Sequence, residues 1–425
     1  MLFFSPFNPF VGELESWTNS KSVKPDDEQE AFIIGKDIDH ENGRFRIVMS
    51  SHRMLSLLAS FGTIAADCTY KTTLQGYPLV VVCIIDECRK AHPVAFACIT
   101  KQEQTDYEFV FHSLQVAVEK QNERIIFNVF LSDGEIALKN AIHCVFGQSI
   151  VLLNCYFHVK QNLIKHFKRH SEIKPEVQAH IMRELTLLQI APTEKHFAVA
   201  LELFVKKYSI YKEFTLFFHK YAANDKFRLW YEAAKPGVPS TNNALEAINK
   251  SIKYNYLKRH KEPFATFKVQ MLHIIKDYSS AAREITMERL VVLSDEKEAY
   301  EYLKTNRNLR TMHENGKTFI FLPGGSSSEI SSLEIERFQN PDYRSLEDFA
   351  GDLGKIHRVE VTGASFKFWL CTCRHFFKSN GCWHILVVAV KRNCYNLRPE
   401  ANTDLLSFKK TAGRPKLIST ALCKE

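Results

Sequence analysis

Thr63-Ile-Ala-Ala-Asp-Cys-Thr-Tyr70, Pro78-Leu-Val-Val-Val-Cys-Ile-Ile-Asp86 and His92-Pro-Val-Ala-Phe-Ala-Cys-Ile99 follow one another within forty residues of the chain. Each run is rich in Val, Ile or aromatic residues, and Gly76 and the polar Glu87–Lys90 stretch supply turns between them, so the segment reads as three consecutive strands. Outward from there, Thr105-Asp-Tyr-Glu108 has the pattern of a capping box. It opens a helix on which Tyr107, Val110, Phe111, Leu114, Ala117 and Val118 form one apolar stripe. A fourth strand over 125–131 runs into Ser132-Asp-Gly-Glu135, a second capping-box pattern, and a helix with Leu138, Ala141, Ile142 and Val145 on its inner face; a fifth strand covers 150–154. Three strands, a helix, then alternating strand and helix predict an α/β class with a mixed sheet covered by helices. From about Lys165 to Trp230 the pattern is helical throughout.

The whole chain has 425 residues, 45% of them hydrophobic and 24% charged, which is globular composition with length for two or three domains. Its net charge of +8 favours polyanionic partners, nucleic acid first. Met1 to Trp17 has no basic n-region and contains Pro6 and Pro9, and no apolar run reaches the roughly 18 residues of a membrane span, so a soluble intracellular protein without a membrane partner is expected. Eleven cysteines are spread irregularly, as core thiols or metal ligands would be in a reducing compartment. Punctuation sets the expected boundaries: an N-terminal segment (1–49), a large block (50–262) with its helical insertion at about 165–235, a helical connector (263–322), a flexible Gly/Ser linker (323–332), a small block (333–400) and a basic tail (401–425).

The small block carries the sharpest spacing. Arg358–Val361 and Phe366–Leu370 alternate around Thr362-Gly363 as a hairpin ending in Cys371-Thr-Cys373; eight residues later come Cys382-Trp-His384 and an apolar helix over 385–390. Three thiolates and one imidazole complete a tetrahedral shell with no open position, the arrangement of structural Zn²⁺.

In the large block three acids stand out. Asp67 interrupts an apolar strand, where an unpaired carboxylate is costly and needs a compensating charge. Asp133 sits where the fourth strand ends, a usual place for ligand chemistry, although the start of a helix also favours an aspartate there. Glu246 lies at the start of a helix in Ser240-Thr-Asn-Asn-Ala-Leu-Glu246, with Lys250 one turn on as a salt-bridge partner. Carboxylates from two strands and a helix suit a pair of divalent ions for phosphoryl transfer. Cys155 and His158 share one helix face and read as core residues before they read as accessory ligands; Lys250, Lys253, Lys258, Arg259 and Lys261, with Tyr254 and Tyr256 interleaved, suit phosphate contacts or a solvated face equally.

Together the Asp67-Cys-Thr-Tyr70 strand, the Ser132-Asp-Gly-Glu135 corner, the Cys155-Tyr-Phe-His158 step and the Thr241-to-Glu246 helix resemble, in order and spacing, the catalytic domain of Mutator-like element (MULE) transposases. The resemblance covers roughly 50–262 and implies a ribonuclease-H-like fold interrupted by a helical insertion. It also implies a DDE triad of Asp67, Asp133 and Glu246 holding Mg²⁺ or Mn²⁺, DNA as partner, strand cleavage and transfer as chemistry, and a nuclear location. The C-x-C, eight-residue, C-x-H spacing resembles the SWIM-type zinc finger, which lies downstream of such domains. Family members usually carry an N-terminal zinc-binding recognition domain, whereas the segment before Asp67 contains no cysteine. In the tail, Lys409-Lys-Thr-Ala-Gly-Arg-Pro-Lys416 is similar to an AT-hook, with Arg414 aimed at a narrow minor groove. Two other readings remain open at this level: a noncatalytic, zinc-containing DNA-binding regulator derived from a transposase, and a zinc-dependent adaptor binding protein partners.

Overall fold

A helix, α1 (Pro9–Lys21), leads into an antiparallel pair, β1 (Ala31–Asp39) and β2 (Arg44–Ser51), and a short α2 (His52–Ser56) capped by the Ser51 hydroxyl. The expected strands follow as β3 (Gly62–Thr69), β4 (Leu79–Ile85) and β5 (Ala91–Ile99), then α3 (Gln104–Glu119), β6 (Phe127–Ser132), α4 (Ile136–Phe146) and β7 (Val151–Asn154). In this computed structural model residues 9–402 are described, apart from 60–61, 170–172, 283–284, 287, 306–307 and 325–328. The tail motif with Arg414 lies outside the described residues, as does the middle of the expected linker.

The seven strands form one mixed sheet in the order β1-β2-β5-β4-β3-β6-β7, antiparallel except for the parallel pairs β3–β6 and β6–β7. Period-two alternation splits each strand between two cores. Ile64, Ala66, Val80, Val82, Ala95 and Phe130 face α3 and α4, and the stripe read on α3 is buried at every position, with the Phe111 and Phe130 rings edge-on at 5.9 Å. Ala65, Val81, Phe96, Val129 and Leu131 face the other way, against α9 (Asn243–Ser251) and α10 (Phe264–Ala281) described below. A buried side chain of this size stabilises by about 1.5–3 kcal/mol, so both sheet faces contribute.

After β7 the chain turns helical, as expected: α5 (Tyr156–Arg169), α6 (Pro175–Gln189), α7 (Glu194–Tyr208) and α8 (Lys212–Ala223) build a separate aromatic core around Trp230, whose indole N–H donates to the Tyr221 carbonyl at 2.9 Å. The chain then returns as α9 and α10 to cover the sheet. Beyond them α11 (Leu293–Lys304) precedes a second, four-stranded antiparallel sheet, order β11-β10-β9-β8, made of β8 (Arg310–Glu314), β9 (Lys317–Pro323), β10 (Ile356–Val361) and β11 (Leu370–Cys371). Helices α12 (Ser332–Gln339) and α13 (Leu346–Asp352) sit between β9 and β10, and α14 (Arg374–Ser379) and α15 (Trp383–Lys391) close the chain. Among the described residues no helix is long and apolar enough to cross a membrane.

Several local expectations need correction. The first 49 residues supply two sheet strands. The stretch read as a helical connector contains β8 and β9, because Lys317–Pro323 pairs with Ile356–Val361 and turns its alternate residues into two small cores. Neither capping box forms as read. Asp106, fully buried, takes Arg46 Nε at 2.6 Å and Arg44 Nη2 at 3.3 Å and accepts the Glu103 N–H at 2.9 Å, which starts α3 earlier. Glu135 accepts the Tyr107 hydroxyl at 2.7 Å instead of reaching back to Ser132. In the small block the second hairpin strand is only Leu370–Cys371, since Phe366–Phe368 coil into a 3-10 turn.

Candidate functional site

Parallel pairing of β3 with β6 runs to Ala65 and Leu131; Asp67 lies two residues further along β3, and Asp133 follows the last residue of β6 at the same end of the sheet. Asp67 shares the sheet face that α9 crosses, because it keeps the parity of Ala65. Glu246 comes from the first turn of α9, whose Leu245 and Ile248 are buried in the sheet core. One open cleft is lined by Asp67, Asp133, Glu246, His158, Asn249 and Lys253, so all three sequence-predicted acids meet there.

Asp67 is only 6% exposed, and its carboxylate accepts Asn249 Nδ2 at 2.8 Å. Burial first, then the negative charges of Glu246 and Asp133, push its pKa up to about 8, with the Cys68 N–H and Lys253 opposing. Four carboxylates line the cleft, Asp67, Asp133, Glu135 and Glu246, with Lys253 half-buried among them and Lys71 and Lys165 exposed at its rim; a divalent cation beside the buried Asp67 would relieve the repulsion between the acids. Oxygen donors of this kind fit Mg²⁺ or Mn²⁺, and Asp67, Asp133 and Glu246 would hold them. A ring nitrogen of His158 joins Asp67 and Glu246 in a trio of donor atoms that all lie within 4.8 Å of one another. His158 Nε2 is 3.4 Å from Glu246 Oε1, so Glu246 faces this histidine.

The Cys155–His158 pair divides its work. Cys155 stands just before α5, fully buried; its thiol donates to Asn242 Oδ1 at 2.8 Å, and its sulfur accepts the Asn242 N–H at 3.4 Å. The Asn242 carbonyl in turn accepts the Glu246 N–H, and the Tyr156 N–H donates to the Ser240 carbonyl, both at 2.9 Å. The step after β7 thus pins the start of α9, across the whole insertion, and fixes where Glu246 stands. Lys139 on α4 fastens the insertion itself: fully buried, it donates to Asn154 Oδ1 and, at 2.6 Å, to the Lys226 carbonyl, with Phe227 4.9 Å from its ammonium.

Burial lowers the Lys139 pKa to about 7, below its unfolded value of 10.5, so the unfolded chain binds the extra proton between those values. This group's contribution to stability should therefore rise with pH from about 7 to 10.5, by up to about 1.4 kcal/mol per unit. Denaturant unfolding at stepped pH checks this. Lys139→Met should remove that part of the slope, and an unchanged slope would count against it.

The basic stretch splits. After α9 the helix loosens into a single π turn, Ile252–Tyr256, which carries Lys253 into the cleft beside Asp67 and Glu246. Lys250 and Arg259 lie over the Tyr254 ring at 5.8 and 4.4 Å, and Lys258 and Arg259 are exposed, both with left-handed backbone (φ 47° and 66°). Lysine and arginine rarely adopt that conformation; the Arg259 N–H to Lys253 carbonyl bond at 2.8 Å holds it. Asn249, Lys165, Tyr70 and Phe157 line the cleft without having been singled out in the sequence. For Asn249 a signal existed, its place three residues after Glu246 on the same helix face.

Residues 63–162 match the family model of the MULE transposase domain. The matched stretch runs from β3 into α5, and so contains Asp67, Asp133, Cys155 and His158; Glu246 lies beyond it. No curated protein matches the chain.

A second cluster lies in the C-terminal part. The Cys371, Cys373 and Cys382 sulfurs and a His384 ring nitrogen all lie within 4.8 Å of one another, and all four residues are buried. Strand β11 supplies Cys371; Cys373 caps α14 and its sulfur accepts the Phe376 N–H at 3.2 Å; Cys382 and His384 open α15. Both ring nitrogens of His384 are buried without a protein partner, a cost that a metal bond would relieve. Three sulfurs and one nitrogen at this spacing fit tetrahedral zinc, whose thiolate sulfurs lie roughly 3.8 Å apart at Zn–S distances of about 2.3 Å. Burial drives the Cys371 and Cys382 thiols up, while hydrogen bonds from those two cysteines push Cys373 down.

Proposed function

We propose that the chain is a MULE-type transposase or a close derivative that cleaves and joins DNA strands at the Asp67, Asp133 and Glu246 cleft of a ribonuclease-H-like domain. The observation that carries this reading is the convergence of Asp67, Asp133 and the helix-borne Glu246 on one open cleft within and beside the matched domain, with Asp67 buried at its floor. Within the seven-stranded sheet the antiparallel run β5-β4-β3 continues into the parallel strands β6 and β7, with the acids near the end of the β3–β6 pair, and this supports the fold assignment.

Bound Mg²⁺ or Mn²⁺ supplies charge neutralisation of the transferring phosphoryl group and activation of the attacking hydroxyl. The chain's own residues do the rest. Asn249 orients the Asp67 carboxylate by its 2.8 Å bond, and the Cys155–Asn242 staple sets the Glu246 backbone. Lys253, aimed into the cleft from the π turn, supplies positive charge for a phosphate oxygen, while Lys250, Lys258 and Arg259 form an exposed basic edge for the DNA backbone. The cysteine–histidine cluster is read as a SWIM-type structural zinc site that stabilises a DNA- or protein-binding module, and the protein acts in the nucleus.

A DNA strand cleavage and transfer assay with Mg²⁺ or Mn²⁺ tests the proposal. Wild type should act and Asp67→Ala and Glu246→Ala should lose at least about 10³-fold, the scale of removing one electrostatic element of an active site. Equal inertness of wild type and variants, with DNA binding retained, would favour a noncatalytic regulator. Loss of a protein partner on Cys382→Ala without any DNA affinity at low salt would favour an adaptor.

A further inference from the structure

The third cleft group within ligand reach, beside Asp67 and Glu246, is a histidine. We propose that His158 is a direct metal ligand, so that Asp67, His158 and Glu246 together hold one divalent cation through two carboxylate oxygens and one imidazole nitrogen, and that this trio makes the cleft prefer Mn²⁺ to Mg²⁺. The inference rests on the reading of the cleft as a cation site and specifies its donor set.

Geometry supports it from three sides. The three donor atoms lie within 4.8 Å of one another, and donors about 2.1–2.2 Å from one ion lie roughly 3 to 4.3 Å apart, so side-chain shifts of a few tenths of an ångström close the set. His158 has no better partner: Nε2 lies 3.4 Å from Glu246, longer than the 2.7–2.9 Å of a charge-assisted hydrogen bond, and Nδ1 is buried with no partner. Beside the trio Asn249, only 4% exposed, gives its Nδ2 to Asp67 and leaves its buried Oδ1 without a partner. The backbone around the histidine is also held, because Cys155 and Tyr156 are tied to the segment that leads into α9. Imidazole raises affinity along the transition-metal order, whereas Mg²⁺ is served best by oxygen donors and water, so this donor set selects the softer ion.

Electron spin echo spectroscopy of Mn²⁺ bound to the zinc-loaded full chain reads the ligand directly. Wild type should show a coupled ¹⁴N nucleus that changes to ¹⁵N when only the histidines are labelled. His158→Gln should lose the coupling and bind Mn²⁺ about tenfold or more weakly, with Mg²⁺ affinity changed far less. Labelling the wild-type protein keeps the test valid if the variant misfolds. Mn²⁺ bound in an Asp67-dependent way without a nitrogen coupling would overturn the His158 assignment and leave the cation site standing. A coupling retained in His158→Gln would move the ligand to another histidine and overturn it equally. No Mn²⁺ binding that Asp67→Ala abolishes would overturn both.

Discussion

Stripping zinc from the Cys371, Cys373, Cys382 and His384 cluster should unfold the C-terminal module while the seven-stranded sheet stays folded. The four ligands sit in a small apolar core with Trp369, Phe376, Val387 and Val388, and they join three short elements, β11, α14 and α15. The metal would therefore contribute folding free energy outright, on the scale of about 10–16 kcal/mol for structural zinc in finger peptides. Without it, three buried sulfurs and an imidazole remain, with a net cost for each unmet polar group. Hydrogen exchange with and without a strong chelator checks this: protection over β10 to α15 should collapse, that of β3, β4 and β6 should persist, and Cys382→Ser should behave like chelated wild type. The contact that docks α14 against the β4–β5 turn, Asn380 Nδ2 to the Glu87 carbonyl at 3.1 Å, should open with the module. Exchange unchanged by chelation would show that the cluster is an ordinary thiol core.

Replacing Asp67 by Asn should abolish stabilisation by divalent cations and, in their absence, make the protein more stable at pH 8. The folded pKa of about 8 lies above the unfolded 3.8, so the contribution of the protonated carboxyl is fully present below about pH 4 and is lost as pH rises through 8. Each unit in that window costs up to about 1.4 kcal/mol. Asn is isosteric, keeps an acceptor for Asn249, and never ionises, so its stability lacks this slope. Cations reverse the balance: at a hundred times the dissociation constant they stabilise wild type by about 2.7 kcal/mol, several degrees of melting temperature, with affinity rising with pH until the acid is ionised. Thermal unfolding with and without Mn²⁺ from pH 5 to 9 measures both effects. Equal cation shifts in wild type and Asp67→Asn would refute the role given to this residue.

Much of the sheet could be read from the sequence because β3, β4 and β5 are largely buried, mostly apolar runs separated by turn residues, and buried runs write the strongest pattern. Strands β1 and β2 escaped because polar and charged residues such as Lys36, Asp37, Arg44 and Arg46 alternate through them at the sheet edge. The capping boxes misled for a related reason: Asp106, buried by the arginines of β2, is the carboxylate that reaches the backbone, at Glu103, and the Tyr107 hydroxyl claims Glu135, and long-range partners are invisible in a window of four residues. Of the site, Asp67 announced itself as a charge inside an apolar strand. Glu246 did not, since its place depends on the insertion returning the chain to Cys155, a contact across 87 residues. The link between His158 and the acids was equally hidden, because spacing shows only that a histidine shares a helix face with a cysteine.

Anomalous diffraction from a crystal grown with Mn²⁺, recorded at the manganese edge, tests the central claim most directly. The account predicts an ion bonded to the Asp67 carboxylate at about 2.2 Å, with Glu246 among its other ligands and Asp133 in the same cleft. No manganese near Asp67, or carboxylates held too far apart to share an ion, would contradict it.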